Sequence, residues 1–240
     1  MIALLKAELL KLRTTRTFAA VVGTAAALSL ILVALGTILG KETDPEALFT
    51  NDSITYIIVL LGAIGMTGEW RHRTITGSVL AAPNRLRLLI AKALAYGLAG
   101  VVLTLLVTVA TMAVGTAILD ARGDATLGAG GLADVLWRNL AVAAVLGPLG
   151  VCVGALVRNQ IVTVVGLVAL AAMLEPAIAQ VAPDVGRFGP LAGAPGGILG
   201  GPDAAAGGLL APGLAAAVLI GWAGLAFAAA AWRLQRRDLV

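Results

Sequence analysis

Polar and apolar positions along this 240-residue chain fall into long blocks rather than alternating. Six blocks carry no charged residue: 17–39, 53–68, 93–119, 139–157, 159–174, and a last one ending at Trp232 whose helix is expected to start at Pro212. A bilayer core of about 30 Å takes about 20 apolar residues at 1.5 Å each, so each block is read as a membrane-crossing helix. The second and fifth blocks are shorter than a full span and are expected to use flanking residues, 47–52 for the second and 175–183 for the fifth. The first block is full length and is followed by acidic residues, so it is expected to stay as a span and not be cleaved as a signal peptide.

Composition agrees with this pattern. The chain is 60% hydrophobic and 12% charged, with a mean hydropathy of +0.99; soluble domains carry about 25% charged residues. The expected fold is therefore an all-α polytopic membrane protein. Its net charge of +4 does not point to nucleic acid, because long uncharged runs separate the cations that a nucleic-acid reader would gather on one solvated face. Orientation follows from where the cations lie, since Lys and Arg in short loops favour the cytoplasmic side. With both termini inside, thirteen of the seventeen cations are cytoplasmic and nine of the thirteen acids are outside.

The cations cluster in one connection. Residues 68–94 read GEWRHRTITGSVLAAPNRLRLLIAKAL, holding five Arg or Lys and the single histidine, His72, between spans two and three. About 24 residues join these spans where a few would suffice. Residues 69–80 have helical character, with Ile75 and Val79 four apart and Gly77 open to another surface; Pro83-Asn84 should end that helix and start the next. Arg85, Arg87 and Lys92 would then snorkel at the inner headgroups. Topology signals held by anionic lipid account for those three cations and leave the extra helix unexplained. The N-terminus, MIALLKAELLKLRTTR, puts Ile2, Leu5, Leu9 and Leu12 on one helical face, so it should lie in the membrane surface, as an anchor or as a functional elbow.

These stretches, AELLKLRTTR and GEWRHRTITGSVLAAPNRLRLLIAK leading into a long third span, resemble the permease subunit of ABC exporters of the ABC-2 type, also called type V. The resemblance covers the whole chain in topology, while its motifs are loose. It implies a single transmembrane domain, 1–240, with an elbow helix (1–16), a cytoplasmic coupling helix and turn (69–84) and an outer Gly/Pro-rich segment (183–210) that is short for the family. It also implies two copies of a cytoplasmic ABC ATPase that bind ATP and Mg, and a second permease, as a homodimer or a heterodimer. The family pattern of acid, Gly, Pro, Arg and Lys is met by Glu69, Gly77, Pro83, Arg85 and Lys92. Carried over, Glu69, Arg71, His72, Arg73, Thr74, Gly77, Pro83 and Arg85 would couple to the ATPase, and Glu8, Lys11 and Arg13 would belong to the elbow. A stiff Pro83-Asn84 corner would pass movement from the ATPase to spans two and three.

Other chemistry is scarce. The fragment from Gly36 to Glu42 has three residues between its glycines and Glu after Lys41, where a phosphate loop needs four and then Ser or Thr. No catalytic constellation surrounds Ser29, Ser53, Ser78 or His72, no cofactor is expected in this chain, and one His with one Cys would leave a metal only carboxylates. Gly36/Gly40 and Gly150/Gly154 are small-xxx-small pairs suited to internal packing or to a dimer seam. Glu175-Pro176 is the one ionisable pair within a span. It reads either as an acid snorkelling to the outer headgroups or as a gate or cation-substrate contact, with Pro176 breaking the helix in both cases. Residues 183–210 either dip back into the outer leaflet or are simply flexible. The function expected is a permease that moves an apolar or amphipathic cargo outward. The alternatives are an ion- or proton-coupled secondary transporter, for which the spans offer only Glu175 and Pro148, and a membrane-embedded enzyme or assembly factor.

Overall fold

A computed structural model describes residues 1–39, 44–50, 52–75, 77 and 84–236. Helix dominates, and the described residues contain no strand. In chain order the elements are α1 (Ile2–Thr14), α2 (Arg16–Leu39), α3 (Pro45–Phe49), α4 (Asp52–Arg71), α5 (Arg85–Arg122), α6 (Ala129–Val157), α7 (Gln160–Ala169), a π-helical turn (Leu170–Leu174), α8 (Glu175–Val181), α9 (Pro183–Gly186), α10 (Gly193–Leu199), a 3₁₀ turn (Gly201–Ala204) and α11 (Pro212–Arg236). Six helical stretches among the described residues are long and apolar enough to cross a membrane, the fifth being α7 through α8 taken together.

The helices run past the apolar blocks wherever the flanking polar residues find partners. At 38 residues, α5 is about 57 Å long and begins at Arg85, eight residues before its block. Asn84 caps it, its side chain accepting from the Arg87 N–H at 3.1 Å. Helix α6 begins at Ala129, ten residues before its block, because Asp134 and Arg138 pair one turn apart and Arg138 is buried against other elements.

Span four is the hub. Helix α6 packs on α4, α5 and α11, and Ile54, Ile58, Val59, Leu103, Val107, Val142, Leu146 and Leu149 form the centre of the core. The close approach of α4 to α6 depends on glycine. A Cβ on Gly150 would fall on the Val59 carbonyl, and one on Gly154 would lie 2.9 Å from the Ala63 carbonyl oxygen. The Gly150/Gly154 pair thus serves internal packing. Gly36 faces Leu48, at 2.9 Å from a built Cβ, while Gly40 lies outside the described residues. Cys152 is buried in a second cluster with Leu12, Leu89 and Leu234, which brings both ends of the described chain to the same end of the bundle. A third cluster, with Val33, Phe49, Leu119 and Val135, closes the opposite end.

Pro176 does not break span five. A proline inside a helix lacks an N–H and its ring clashes with the carbonyl four residues back. The π turn just before it absorbs the misfit, the Glu175 N–H reaching the Leu170 carbonyl, and helix continues to Val181. Residues 183–210 form two short helices and a 3₁₀ turn, with Leu191, Ala194, Leu199 and Leu210 buried in the main core. The simple-flexibility reading is therefore set aside: this segment is packed.

Candidate coupling site

The N-terminal helix presents less of its apolar face to lipid than amphipathicity predicts. Leu12 is buried, and Leu5 and Leu9 pack against the cluster around Leu89 and Leu234, whereas Ile2 and Leu10 stay exposed. This docking carries Glu8 into the protein. Its Oε2 accepts from Lys92 Nζ at 2.6 Å, and Lys92 also reaches Glu69 Oε1 at 2.8 Å. Lys11, one turn after Glu8, closes the ring with 2.9 Å to Glu8 and 3.0 Å to Glu69. Two carboxylates and two ammonium groups thus join α1, the end of α4 and the start of α5.

Burial makes this quartet consequential. Lys92 is 1% exposed, Glu8 4% and Glu69 7%, so a missing partner would leave an uncompensated charge away from water. Burial alone would raise the Glu8 carboxyl, but the Lys92 charge and hydrogen bonds from Lys11 and Lys92 outweigh it and hold the group below its ordinary value. For Lys11 burial would lower the ammonium, and the bonds to Glu8 and Glu69 turn the net shift upward.

The predicted residues between spans two and three divide here. Glu69 was expected to open a separate helix and to face the ATPase; instead α4 runs on through Arg71 and Glu69 points inward to two lysines. Lys92, expected to snorkel, is its buried partner. The chain turns at His72 and Arg73, where Arg73 takes a left-handed conformation (φ 55°), and the Thr74 N–H closes the turn on the Glu69 carbonyl at 2.9 Å. Arg71, His72, Arg73 and Thr74 are exposed beyond the quartet, as are Gly77 and Arg13. Arg71 also lies 3.4 Å from Gln160 Oε1. Ile75 is buried; Pro83 and residues 78–82 lie outside the described residues. Arg85 donates to the Leu234 carbonyl at 2.7 Å, tying the start of span three to the end of span six. Arg158, in the corner between spans four and five, sits 5.6 Å from the Trp70 ring and takes a left-handed φ of 60°.

Two further polar centres lie at the opposite end. Glu175 is 4% exposed and accepts from the N–H groups of Leu191 (2.9 Å), Ala192 (2.6 Å) and Gly193 (3.4 Å) at the start of α10. Buried rather than snorkelling, it anchors the segment 183–210, since a carboxylate suits a helix N-terminus. Arg138 donates to Glu46 at 2.6 Å, to Asp134 at 2.9 Å and to the Leu199 carbonyl at 2.5 Å. Among the described residues no three or more His, Cys, Asp or Glu gather as metal ligands.

The sequence carried one clue to the quartet: Glu8 and Lys11 stand three residues apart, at pairing distance on a helix, whereas Glu69 has Arg71 and Arg73 beside it and gives no sign of a distant partner. That Lys92 is such a partner depends on how α4 and α5 pack. A family model described as "ABC-2 family transporter protein" matches residues 4–174, which include all four members of the quartet. No curated protein matches the chain.

Proposed function

Because the chain belongs to the ABC-2 transporter family, as a multi-pass membrane permease subunit of an ABC transporter, we propose that it exports an apolar or amphipathic substrate such as a drug, lipid or peptide. Two copies of a separate cytoplasmic ATPase, binding ATP and Mg, drive a pair of permeases set in the cell membrane with both termini inside. A homodimer is the simplest pair. Arg71, His72, Arg73 and Thr74, with Gly77, Pro83 and Arg85, form the ATPase-facing connection, and Arg13 flanks it on the elbow.

The observation that carries this reading is the buried quartet. It fastens the elbow, the end of span two and the start of span three into one unit, immediately behind an exposed cationic turn. A push on that turn would reach two spans and the elbow together, as transmission from an ATPase requires. Glu8, Lys11 and Glu69 belong to the joint behind the docking surface, not to the surface itself.

Charge reversal tests this. The pair Arg71→Glu and Arg73→Glu should abolish recovery of the ATPase with the permease and its stimulation of ATP hydrolysis in proteoliposomes, while the permease itself remains folded. Unchanged recovery together with unchanged stimulation would remove the turn from the interface.

A further inference from the structure

A groove of about 450 Å³ lies at the outer end of the bundle, between α6 and α11 and beneath α10. This is the size of a small-molecule site. Val145, Ile198, Ala216 and Leu219 form its apolar wall, and Asp134 and Arg138 stand at its outer end. From Arg138 to Val145 is seven helical residues, about 10 Å of depth. Trp137 and Ile220 line the rim and are exposed on the span faces, so the groove opens sideways, where lipid would lie.

Charge at the polar end selects an occupant. Arg138 is 6% exposed, and its terminal nitrogens are held by the Leu199 carbonyl, Glu46 and Asp134. Among the described residues two carboxylates, Glu46 and Asp134, thus serve one guanidinium and leave a local charge of −1; both side chains are substantially exposed, 40% and 53%. That end therefore attracts a cation and repels an anion.

We propose that this groove binds an amphipathic cation from the outer leaflet, with its apolar tail along Val145 and Leu219 and its ammonium beside Asp134. The leaflet named rests on the orientation proposed above, but binding itself depends on neither ATP nor export, so its failure is distinguishable from failure of that reading.

Matched probes test it: N-octanoylethylenediamine (cation), N-octanoylglycine (anion) and N-octanoylethylamine (neutral), titrated calorimetrically into the full chain in nanodiscs, with empty nanodiscs as the partition blank. The cation should bind saturably above the blank, the neutral probe about tenfold more weakly and the anion not at all. Asp134→Asn should weaken the cation about tenfold without affecting the neutral probe, and Ala216→Phe should abolish binding of both. Asp134 is on the exposed rim, so its variant keeps the test alive if the groove-filling one does not fold. Equal binding of cation and anion, or an unaltered cation affinity in Asp134→Asn, would overturn the site. So would ready disulfide dimers of Trp137→Cys in a Cys152→Ala background, since a second copy would then cover the groove.

Discussion

Lys92 gives the sharpest test of the quartet, because replacing it removes the cation shared by two buried carboxylates. Lys92→Met keeps the length and apolar stem but leaves the half-exposed Lys11 as the remaining ammonium of the quartet between Glu8 and Glu69. Removing one partner of a buried ion pair costs about 3–5 kcal/mol. Lys11 still touches both carboxylates at 2.9 and 3.0 Å, which places the loss at the lower end, about 3 kcal/mol. At about 2–4 °C per kcal/mol for a chain of this size, the unfolding midpoint should fall by roughly 6–12 °C. The assay is fluorescence-detected melting of the purified protein in one detergent at one concentration. A companion variant separates charge from packing: Glu8→Gln with Lys92→Met leaves one carboxylate facing one ammonium, and should recover at least half of the loss. A Lys92→Met midpoint equal to wild type would refute the claim that these charges are coupled, and a double variant no better than the single would show that the stem, not the charge, matters.

Four other outcomes follow from the same geometry. Glu8 is held below its ordinary 4.5, so its stabilisation is present above that value and is lost as pH falls through the depressed folded value; Lys11 is held above 10.5, so its share is present below 10.5 and is lost as pH rises through the raised one. A spin label at Ala3 should thus stay immobile from about pH 5 to pH 10 and loosen on either side. Gly150→Leu, driving a side chain into the Val59 carbonyl, should cost at least 1–3 kcal/mol and reduce the yield of folded protein, whereas Gly221→Leu, with no atom within 4 Å of its Cβ, should not; size-exclusion profiles decide. Glu175→Ala should release the start of α10 at a cost of about 2 kcal/mol, read as faster thiol labelling of Ala192→Cys, with Glu175→Gln intermediate because it retains one acceptor. Raising salt from 0.01 to 1 M shortens the screening length from about 30 to about 3 Å, so an ATPase held, as proposed, through Arg71 and Arg73 should dissociate while the buried quartet keeps its melting midpoint.

The six spans could be read from sequence because lipid tolerates few charges, and runs without charge are visible without knowing the packing. Their ends could not. Asp134 and Arg138 broke the fourth block, yet α6 passes through both because Glu46 and the Leu199 carbonyl, from distant parts of the chain, complete the Arg138 shell. In the same way Glu69 looked like the first residue of a cytoplasmic helix because its partners are 58 and 23 residues away. Glu175 was conspicuous as an acid within a span, but its role depends on backbone N–H groups 16 to 18 residues further on. Local pattern locates an unusual charge. Which tertiary group neutralises it is decided by packing, and that step separates docking surface from joint.

Burial within the bundle bears on how such a joint would act. Spans two and four bury 53% and 56% of their most apolar stretch inside the chain, against 17%, 22% and 17% for spans one, five and six. The glycine seam locks α4 to α6 with backbone against backbone and leaves no slack for sliding, so these two helices respond as one piece. The quartet adds α5 and the elbow to that piece at the end bearing the exposed cationic turn. The helices with poorly covered faces are those free to repack against lipid or a second permease. Under the export reading, a displacement at Arg71 to Thr74 would move spans two, three and four together, and the change in shape would arise where they meet spans one, five and six. The outer segment follows span five through Glu175 and span six through the Trp222 bond to the Phe188 carbonyl at 2.9 Å. An outward opening would therefore involve the segment 183–210 as a passenger of those two spans, and cutting the Glu175 anchor would uncouple it from span five without disturbing the quartet.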